Sequence, residues 1–110
     1  MKGRVVFHLR LKPGREADFL QAYESIRHEV ARGVPGHIVD QVCQSPDDPA
    51  EWLITSEWEN LDAFLDWERT EEHRDLVKPM RECWDEAKSY KYEVKVETAQ
   101  ERRLEEAPNV

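Results

Sequence analysis

The chain has 110 residues, of which 36% are charged and 39% hydrophobic, and its formal net charge is −8. This is the length of one domain, and acidic charge spread along the whole chain argues against a nucleic-acid-binding face, which is normally basic. No apolar run approaches the roughly 18 residues of a membrane span. The N-terminus leads straight into a strand-like segment, so we expect no signal peptide. Together these features predict a cytoplasmic protein with no nucleic-acid or membrane partner.

The first half of the chain predicts a strand, a helix and a second strand. Residues 4–11 alternate between apolar and polar, as in a half-buried strand, and Pro13-Gly14 ends them in a turn. From residue 15 to 32 the apolar spacing is that of an amphipathic helix, which Gly33 ends. After a turn at Pro35-Gly36, residues 37–44 are predicted to form the second strand.

The second half predicts a strand, two helical segments and a last strand. Residues 51–58 are rich in aromatic and β-branched side chains, as strands are. Asn60 or its neighbour starts a helix, and Thr70 is a candidate N-cap for another. Leu76, Met80, Cys83 and Trp84 recur at helical spacing, although Pro79 should kink or split that segment. Residues 90–96 alternate as a fourth strand, before a polar tail that we expect to fray or to make a subunit contact.

This order predicts an α+β fold, the ferredoxin-like β-α-β-β-α-β arrangement with an antiparallel sheet and helices on one face. The domain is assigned to residues 1–97 and the polar tail to residues 98–110. Four Trp, three Tyr and three Phe are many for so small a core, so we expect some to line a pocket or a subunit interface. Val6 and His8, with Leu53 and Thr55 or the opposite face of their strand, are candidates for a sheet face that a second copy covers, making a homodimer.

Three segments resemble the antibiotic biosynthesis monooxygenase family, the small dimeric α+β barrel proteins. Residues 54–67 read ITSEWENLDAFLDW, a strand ending in Trp58, then a turn and an Ala-Phe helix start. Val34-Pro35-Gly36 before the second strand and Glu72-His73-Arg74 after the helix are further matches. The resemblance covers roughly residues 3–96, and it implies the dimeric α+β barrel fold.

The resemblance also implies several chemistries. One branch of the family oxidises anthrone-like rings of aromatic polyketides to quinones with O2 and no metal or flavin, and this chain resembles it at Trp58. That branch has Asn where this chain has Ile54 and Tyr where it has Phe64. The haem-degrading branch is matched at Trp67, but its His ligand falls at Val77 and its strand-one Asn at Phe7, so haem ligation there is not supported. Polyketide cyclases share the fold without oxidising anything.

Two histidines are candidate bases, because only histidine has an ordinary pKa near neutrality. His73 lies near the expected pocket mouth, and its alternative is a solvated histidine among Glu71, Glu72 and Asp75. His37 opens the second strand, and its alternative is an exposed strand end. His8 and His28 are predicted to face away from the pocket. The tryptophans bind flat rings well and offer N–H groups to substrate oxygens, although packing is their commoner use.

Trp67 is the strongest tryptophan candidate, and we group it with His73 and His37 as catalytic. The candidate substrate-binding residues are Trp58, Phe7, Tyr23, Phe64, Trp84 and Ile54. No metal-ligand spacing or nucleotide fingerprint is present, so we expect no metal and no cofactor. Cys43 and Cys83 read as reduced thiols, and Cys43 as a small buried residue. The leading hypothesis is a cofactor-independent monooxygenase acting on an aromatic polyketide with O2; the alternatives are a polyketide cyclase and a non-catalytic ligand-binding dimer.

Overall fold

The structure is a computed structural model, and it describes residues 1–100. Four strands, β1 (Gly3–Leu11), β2 (His37–Gln44), β3 (Glu51–Trp58) and β4 (Trp84–Glu93), form one antiparallel sheet in the order β2-β3-β1-β4. Three helices, α1 (Glu16–Ala31), α2 (Leu61–Glu68) and α3 (Glu71–Arg81), complete the chain. The predicted ferredoxin-like α+β fold is confirmed.

The fourth strand differs from the prediction. It begins at Trp84, whereas alternation placed it over residues 90–96, and Val96 is 86% exposed beyond its end. Trp84 continues the apolar spacing of α3, but it pairs with Leu11 across the sheet instead. Tertiary pairing with β1 has therefore overridden a helical pattern that was only local.

Of the two outcomes predicted for Pro79, a kink or a split, the split does not occur. Pro79 lies inside α3, in the final turn, and costs one backbone hydrogen bond to the carbonyl of Asp75. Asp75 is exposed, so water can satisfy that carbonyl.

The predicted N-cap Thr70 is confirmed, and Asn60, which was predicted to start a helix, is the N-cap of α2. The Asn60 Oδ1 accepts a hydrogen bond from the Ala63 N–H at 2.8 Å, and the Thr70 Oγ1 accepts one from the His73 N–H at 3.0 Å. Each satisfies an N–H group that has no partner inside its helix. Together they set where α2 and α3 begin, and so where Trp67 and His73 lie.

The helices cover one face of the sheet. On that face lie Val5, Leu9 and Leu11 of β1 and Trp52 and Trp58 of β3, all buried. The main core packs Leu9, Leu11 and Trp52 against Phe19, Ile26 and Val30 of α1 and Met80 of α3. Val5 and Trp58 pack with Phe64 of α2 in a second cluster. The opposite face carries His8, Leu53 and Tyr90, and no helix of the described residues covers it. Cys43 is on this opposite face and is exposed, so its predicted burial is wrong, whereas Cys83 is buried.

The predicted tail, residues 98–110, falls almost entirely outside the described residues. Within the described part, the chain leaves the sheet after Glu93, and the Val94 N–H donates to the Lys2 carbonyl at 2.8 Å. Among residues 1–100, no helix combines the length and apolarity needed to cross a bilayer.

Candidate active site

A cavity of about 380 Å³ lies between the helices and the sheet face they cover. This volume is within the range of small-molecule sites, roughly 300–1,000 Å³. Its walls are mostly apolar and aromatic. The nine residues singled out from the sequence all line it: Phe7, Tyr23, His37, Ile54, Trp58, Phe64, Trp67, His73 and Trp84.

The turn before β2 positions His37. Pro35 and Gly36 occupy its two central positions, and the His37 N–H donates to the Val34 carbonyl at 3.1 Å. Gly36 has φ +85°, the conformation that the third residue of a type II turn requires. A Cβ at Gly36 would lie 2.4 Å from the Cβ of Ala63, so glycine also lets the turn approach α2 closely.

A β-bulge at the start of β2 turns two polar side chains to the same face. His37 pairs with Trp58, Val39 with Glu57 and Asp40 with Ser56, which leaves Ile38 as an extra residue. Residues three apart on a regular strand point to opposite faces, but the extra residue brings His37 and Asp40 both to the helix side.

His37, Asp40 and Tyr23 form a hydrogen-bonded chain in the cavity wall. The His37 Nε2 lies 2.7 Å from the Asp40 Oδ1, and the Tyr23 hydroxyl of α1 donates to the Asp40 Oδ2. The side chains of His37 and Asp40 are 15% and 18% exposed. Loss of solvent lowers the pKa of His37 and raises the pKa of Asp40, because burial disfavours the charged form of each.

His73 forms the centre of a second polar group, with Glu68 of α2 and Arg81 at the end of α3 also lining the cavity. Its ring packs edge-on against Trp67, with centroids 5.5 Å apart. Burial lowers the pKa of His73, Glu68 acts against that shift and Arg81 adds to it. His73 is half-buried, so it is not the fully solvated histidine of the alternative interpretation.

Two of the tryptophans have their N–H groups engaged within the protein. The Trp58 Nε1 donates to the Ser56 Oγ at 2.9 Å, and the Trp52 Nε1 donates to the Pro49 carbonyl at 2.8 Å. Trp58 is also only 2% exposed. Within residues 1–100, no protein group accepts the N–H of Trp67. Trp67 is therefore better placed than Trp58 to bind a substrate oxygen through its N–H, whereas Trp58 offers ring surface.

Asp40 is the main wall residue that the sequence did not reveal; the other polar ones are Ser56, Glu68, Arg81 and Ser89. Asp40 lies three residues after His37 in a strand, a spacing that predicts opposite faces. The bulge has no signal of its own in residues 37–40, which contain no glycine or proline. His8 and His28 are exposed and do not line the cavity, as predicted.

Within residues 1–100, no three His, Cys, Asp or Glu side chains come together as a metal site would require. The cavity wall instead combines aromatic rings with the two separate histidine groups. Such a wall can bind a flat, mostly apolar molecule, and it can accept a proton from it.

Curated relatives and a family model match most of this chain. A model described as antibiotic biosynthesis monooxygenase matches residues 3–79. SchA of Streptomyces halstedii is 48% identical over 99 residues, which cover 90% of this chain and 26% of SchA. Polyketide synthase CurD of Streptomyces cyaneus is 43% identical over 84 residues, which cover 76% of this chain and 22% of CurD. The chain thus spans about a quarter of the length of these curated relatives.

The fold is also similar to that of solved structures. The crystal structure of SnoaB, a cofactor-independent oxygenase from Streptomyces nogalater, has a TM-score of 0.77 to this chain at 14% identity. The match covers 90% of this chain and 98% of SnoaB. At this identity the likeness shows the fold alone.

Proposed function

This chain belongs to the antibiotic biosynthesis monooxygenase family, and from that premise we propose that it oxidises a polycyclic aromatic polyketide intermediate with O2, without metal or flavin. The observation that carries the proposal is the cavity, in which six aromatic side chains and two half-buried histidines face one space of about 380 Å³. A flat ring system matches the shape and polarity of such a wall. The name of CurD supports the substrate class, and the description of SnoaB supports the chemistry.

The reaction balances without an added reductant. A base removes a proton from an anthrone-type ring, and the electron pair stays on the ring, which then reacts with O2. One oxygen atom becomes the new carbonyl, and the other leaves as water together with the two hydrogens of the oxidised carbon. The substrate supplies all the electrons, so the protein has to bind the ring, exclude water and hold the proton between steps.

The candidate residues divide these tasks. His37 or His73 takes the proton, because burial lowers the pKa of each and keeps the imidazole neutral at neutral pH. Trp67 donates its N–H to a ring oxygen, and Trp58, Phe7, Phe64 and Trp84 provide the apolar surface. Tyr23 and Ile54 complete the substrate-binding wall.

A direct test uses purified protein freed of metal and flavin by chelation and gel filtration. With an anthrone-type substrate we expect O2 uptake and a product that has gained one oxygen atom and lost two hydrogens. Supply of ¹⁸O2 should label the new carbonyl, and heat-denatured protein serves as the control. Absence of O2 uptake across a panel of anthrones would contradict the proposal.

The same measurement identifies the other functions. A cyclase would change the substrate without O2, and its product would have the same mass or would have lost water. A non-catalytic binding protein would quench the fluorescence of its tryptophans on binding the ring and leave the ring unchanged. Either outcome replaces the oxygenase assignment.

The functional unit in this proposal is a homodimer formed through the sheet face that the described helices leave open. Val6 and Leu53 are half-buried there, and Tyr90 and Tyr92 stack with centroids 6.5 Å apart. A second copy would bury these apolar groups, as two-fold dimers commonly do. Light scattering should give twice the chain mass, and Leu53→Glu should give the monomer. A wild-type monomer at micromolar concentration would contradict this part.

A further inference from the structure

We infer that Asp40 is a positioning residue that makes His37, and not His73, the proton acceptor of the cavity, with Tyr23 fixing Asp40. The inference rests on the proposed function and names the proton acceptor that it leaves open. The candidate residues of the sequence did not include Asp40.

The first step is the geometry of the base. A carboxylate accepts hydrogen bonds and does not donate them, so the 2.7 Å contact assigns the His37 proton to Nε2. The Nδ1 lone pair is then free, and no described protein group is bonded to it. A base needs this arrangement, in which one ring nitrogen is held by an orienting group and the other is open to the substrate.

The second step is the fixation of Asp40. Its Oδ2 accepts the Tyr23 hydroxyl from α1, while its Oδ1 holds His37, so the carboxylate joins the helix to the strand. Among the described residues, no Lys or Arg forms an ion pair with Asp40. Its negative charge is therefore available to the imidazolium that forms when His37 takes a proton.

The third step is the location of the group. Tyr23, His37 and Asp40 line the cavity, and the same three residues line a depression on the outer surface with Arg27, Ile38 and Val39. Arg27, Ile38 and Val39 are exposed. The side chains of Tyr23, His37 and Asp40 therefore separate the cavity from the outer depression. Removal of the His37 ring should open a passage between the two for a small molecule.

The fourth step is the proton balance. The substrate C–H or O–H bond breaks, its proton goes to the His37 Nδ1, and its electron pair stays on the ring. Asp40 remains ionised and stabilises the imidazolium. His37 returns the proton as water forms, so the pair needs no oxidant other than O2.

The test begins with the His37 imidazole itself, followed by NMR across a pH titration. Asp40→Asn retains the volume of the side chain and removes the charge, and we expect it to lower the pKa of His37. Asp47→Asn in the exposed β2–β3 loop removes the same charge far from the cavity and should leave the His37 titration unchanged. If the His37 titration is the same in Asp40→Asn and wild type, the inference is wrong. This readout does not need substrate, so it stands apart from any failure of the oxygenase assignment.

Activity gives the second test. Asp40→Asn should lower kcat/KM roughly 10- to 100-fold and move the acid limb of the pH profile to lower pH. Tyr23→Phe should lower kcat/KM about threefold, because the substitution removes one hydrogen bond to the carboxylate. Thermal melts of both variants check that the fold is kept. Wild-type kcat/KM and pH profile in Asp40→Asn would overturn the positioning role.

Chemical rescue separates orientation from mere structure. His37→Ala should lose at least about 100-fold in kcat/KM, and added imidazole should restore part of the activity by entering through the space left by the ring. The double variant His37→Ala/Asp40→Asn should respond much less to imidazole, because the neutral amide no longer stabilises the imidazolium that forms. Equal rescue of both variants would show that Asp40 does not act through the base.

Discussion

The cavity contains two histidine–tryptophan pairs that are alike in shape and differ in their surroundings. His37 packs edge-on against Trp58 and His73 against Trp67, with centroids 5.1 and 5.5 Å apart and interplanar angles of 77° and 79°. Burial lowers the pKa of both histidines. The β2 pair, which is His37 of β2 with Trp58 of β3, has in addition a hydrogen-bonded carboxylate and a tryptophan whose N–H is satisfied. The α3 pair, which is His73 of α3 with Trp67 of α2, has neither of these among residues 1–100, and Glu68 and Arg81 act on its histidine in opposite directions.

This difference shows that burial alone does not make a catalytic base. Burial keeps an imidazole neutral, but a hydrogen bond is needed to orient its ring and select its tautomer. Within the described part of the chain, only the β2 pair has that bond. The α3 pair instead has a Trp67 N–H that no described protein group accepts, so the two pairs are suited to different tasks, proton transfer by His37 of β2 and substrate orientation by Trp67 of α2.

The largest effects on kcat/KM are expected when each histidine is replaced in turn. His37→Gln should lower kcat/KM about 100- to 1,000-fold, because general-base catalysis is lost. His73→Gln, the matched variant, should stay within about tenfold of wild type, since it removes packing against Trp67 and a charge partner of Glu68 and Arg81 but no hydrogen-bonded base. Steady-state O2 uptake with an anthrone-type substrate measures both. If His73→Gln is the more damaging change, the assignment of the two pairs must be exchanged.

The turn that positions His37 gives a stability test. Gly36→Ala adds a Cβ at φ +85° and 2.4 Å from the Ala63 Cβ, so the free energy of unfolding should fall by about 2–4 kcal/mol. Gly14→Ala has a similar φ of +78° but nothing within 4 Å, so its cost should be about 1 kcal/mol. Urea denaturation measures both.

The double variant Gly36→Ala/Ala63→Gly separates the two contributions. It removes the close contact and keeps the backbone strain, so it should recover part of the loss. Equal effects of Gly36→Ala and Gly14→Ala would mean that the approach of the turn to α2 does not constrain the β2 pair.

The two tryptophans should respond in opposite ways. Trp67→Phe keeps an aromatic ring and removes a free N–H, so KM should rise about fivefold, equivalent to roughly 1 kcal/mol, with stability nearly unchanged. Trp58→Phe removes the partner of the Ser56 Oγ in a buried position, so stability should fall by about 1–2 kcal/mol. Substrate saturation curves and thermal melts read out the pair. A rise of KM in Trp58→Phe alone would contradict the division.

Most of the helices, strands and cavity-lining candidates could be predicted from the sequence, and the features that were missed have physical causes. Alternation predicted β1, aromatic and β-branched residues predicted β3, the N-cap candidate Thr70 marked the start of α3, and the excess of aromatic residues indicated a pocket. The start of β4 was missed because Trp84 continues a helical spacing until pairing with β1 overrides it. Asp40 was missed because a bulge reverses the face that its position predicts, and no residue type marks that bulge.

The smallest effect expected is a displacement of the acid limb of the pH profile. Protonation of His37 removes the lone pair that the reaction needs, so kcat/KM should fall as the pH drops through the pKa of His37. Burial lowers that pKa, so the limb should lie below about pH 6.5, the ordinary pKa of histidine. The charged or titratable groups around His37 are Tyr23 from α1, Asp40 on its own strand, Arg27 in the surface depression, and Glu68, His73 and Arg81 across the cavity.

The sign for stability follows from the same shift. The unfolded chain protonates His37 at a higher pH than the folded chain, so the contribution of His37 to stability is present above about pH 6.5 and is lost as the pH falls through its folded pKa. The pKa of Asp40 is raised, so its contribution to stability has the opposite sign and belongs to a more acidic range.

The pKa of His73 is lowered in the same direction as that of His37, so stability alone cannot distinguish the two pairs. The acid limb of the kcat/KM profile can distinguish them, because only the residue that transfers the proton determines where that limb lies. His73→Gln should therefore leave the kinetic limb where it is while it reduces the loss of stability in acid, and a limb that moves with His73→Gln would assign the proton to α3.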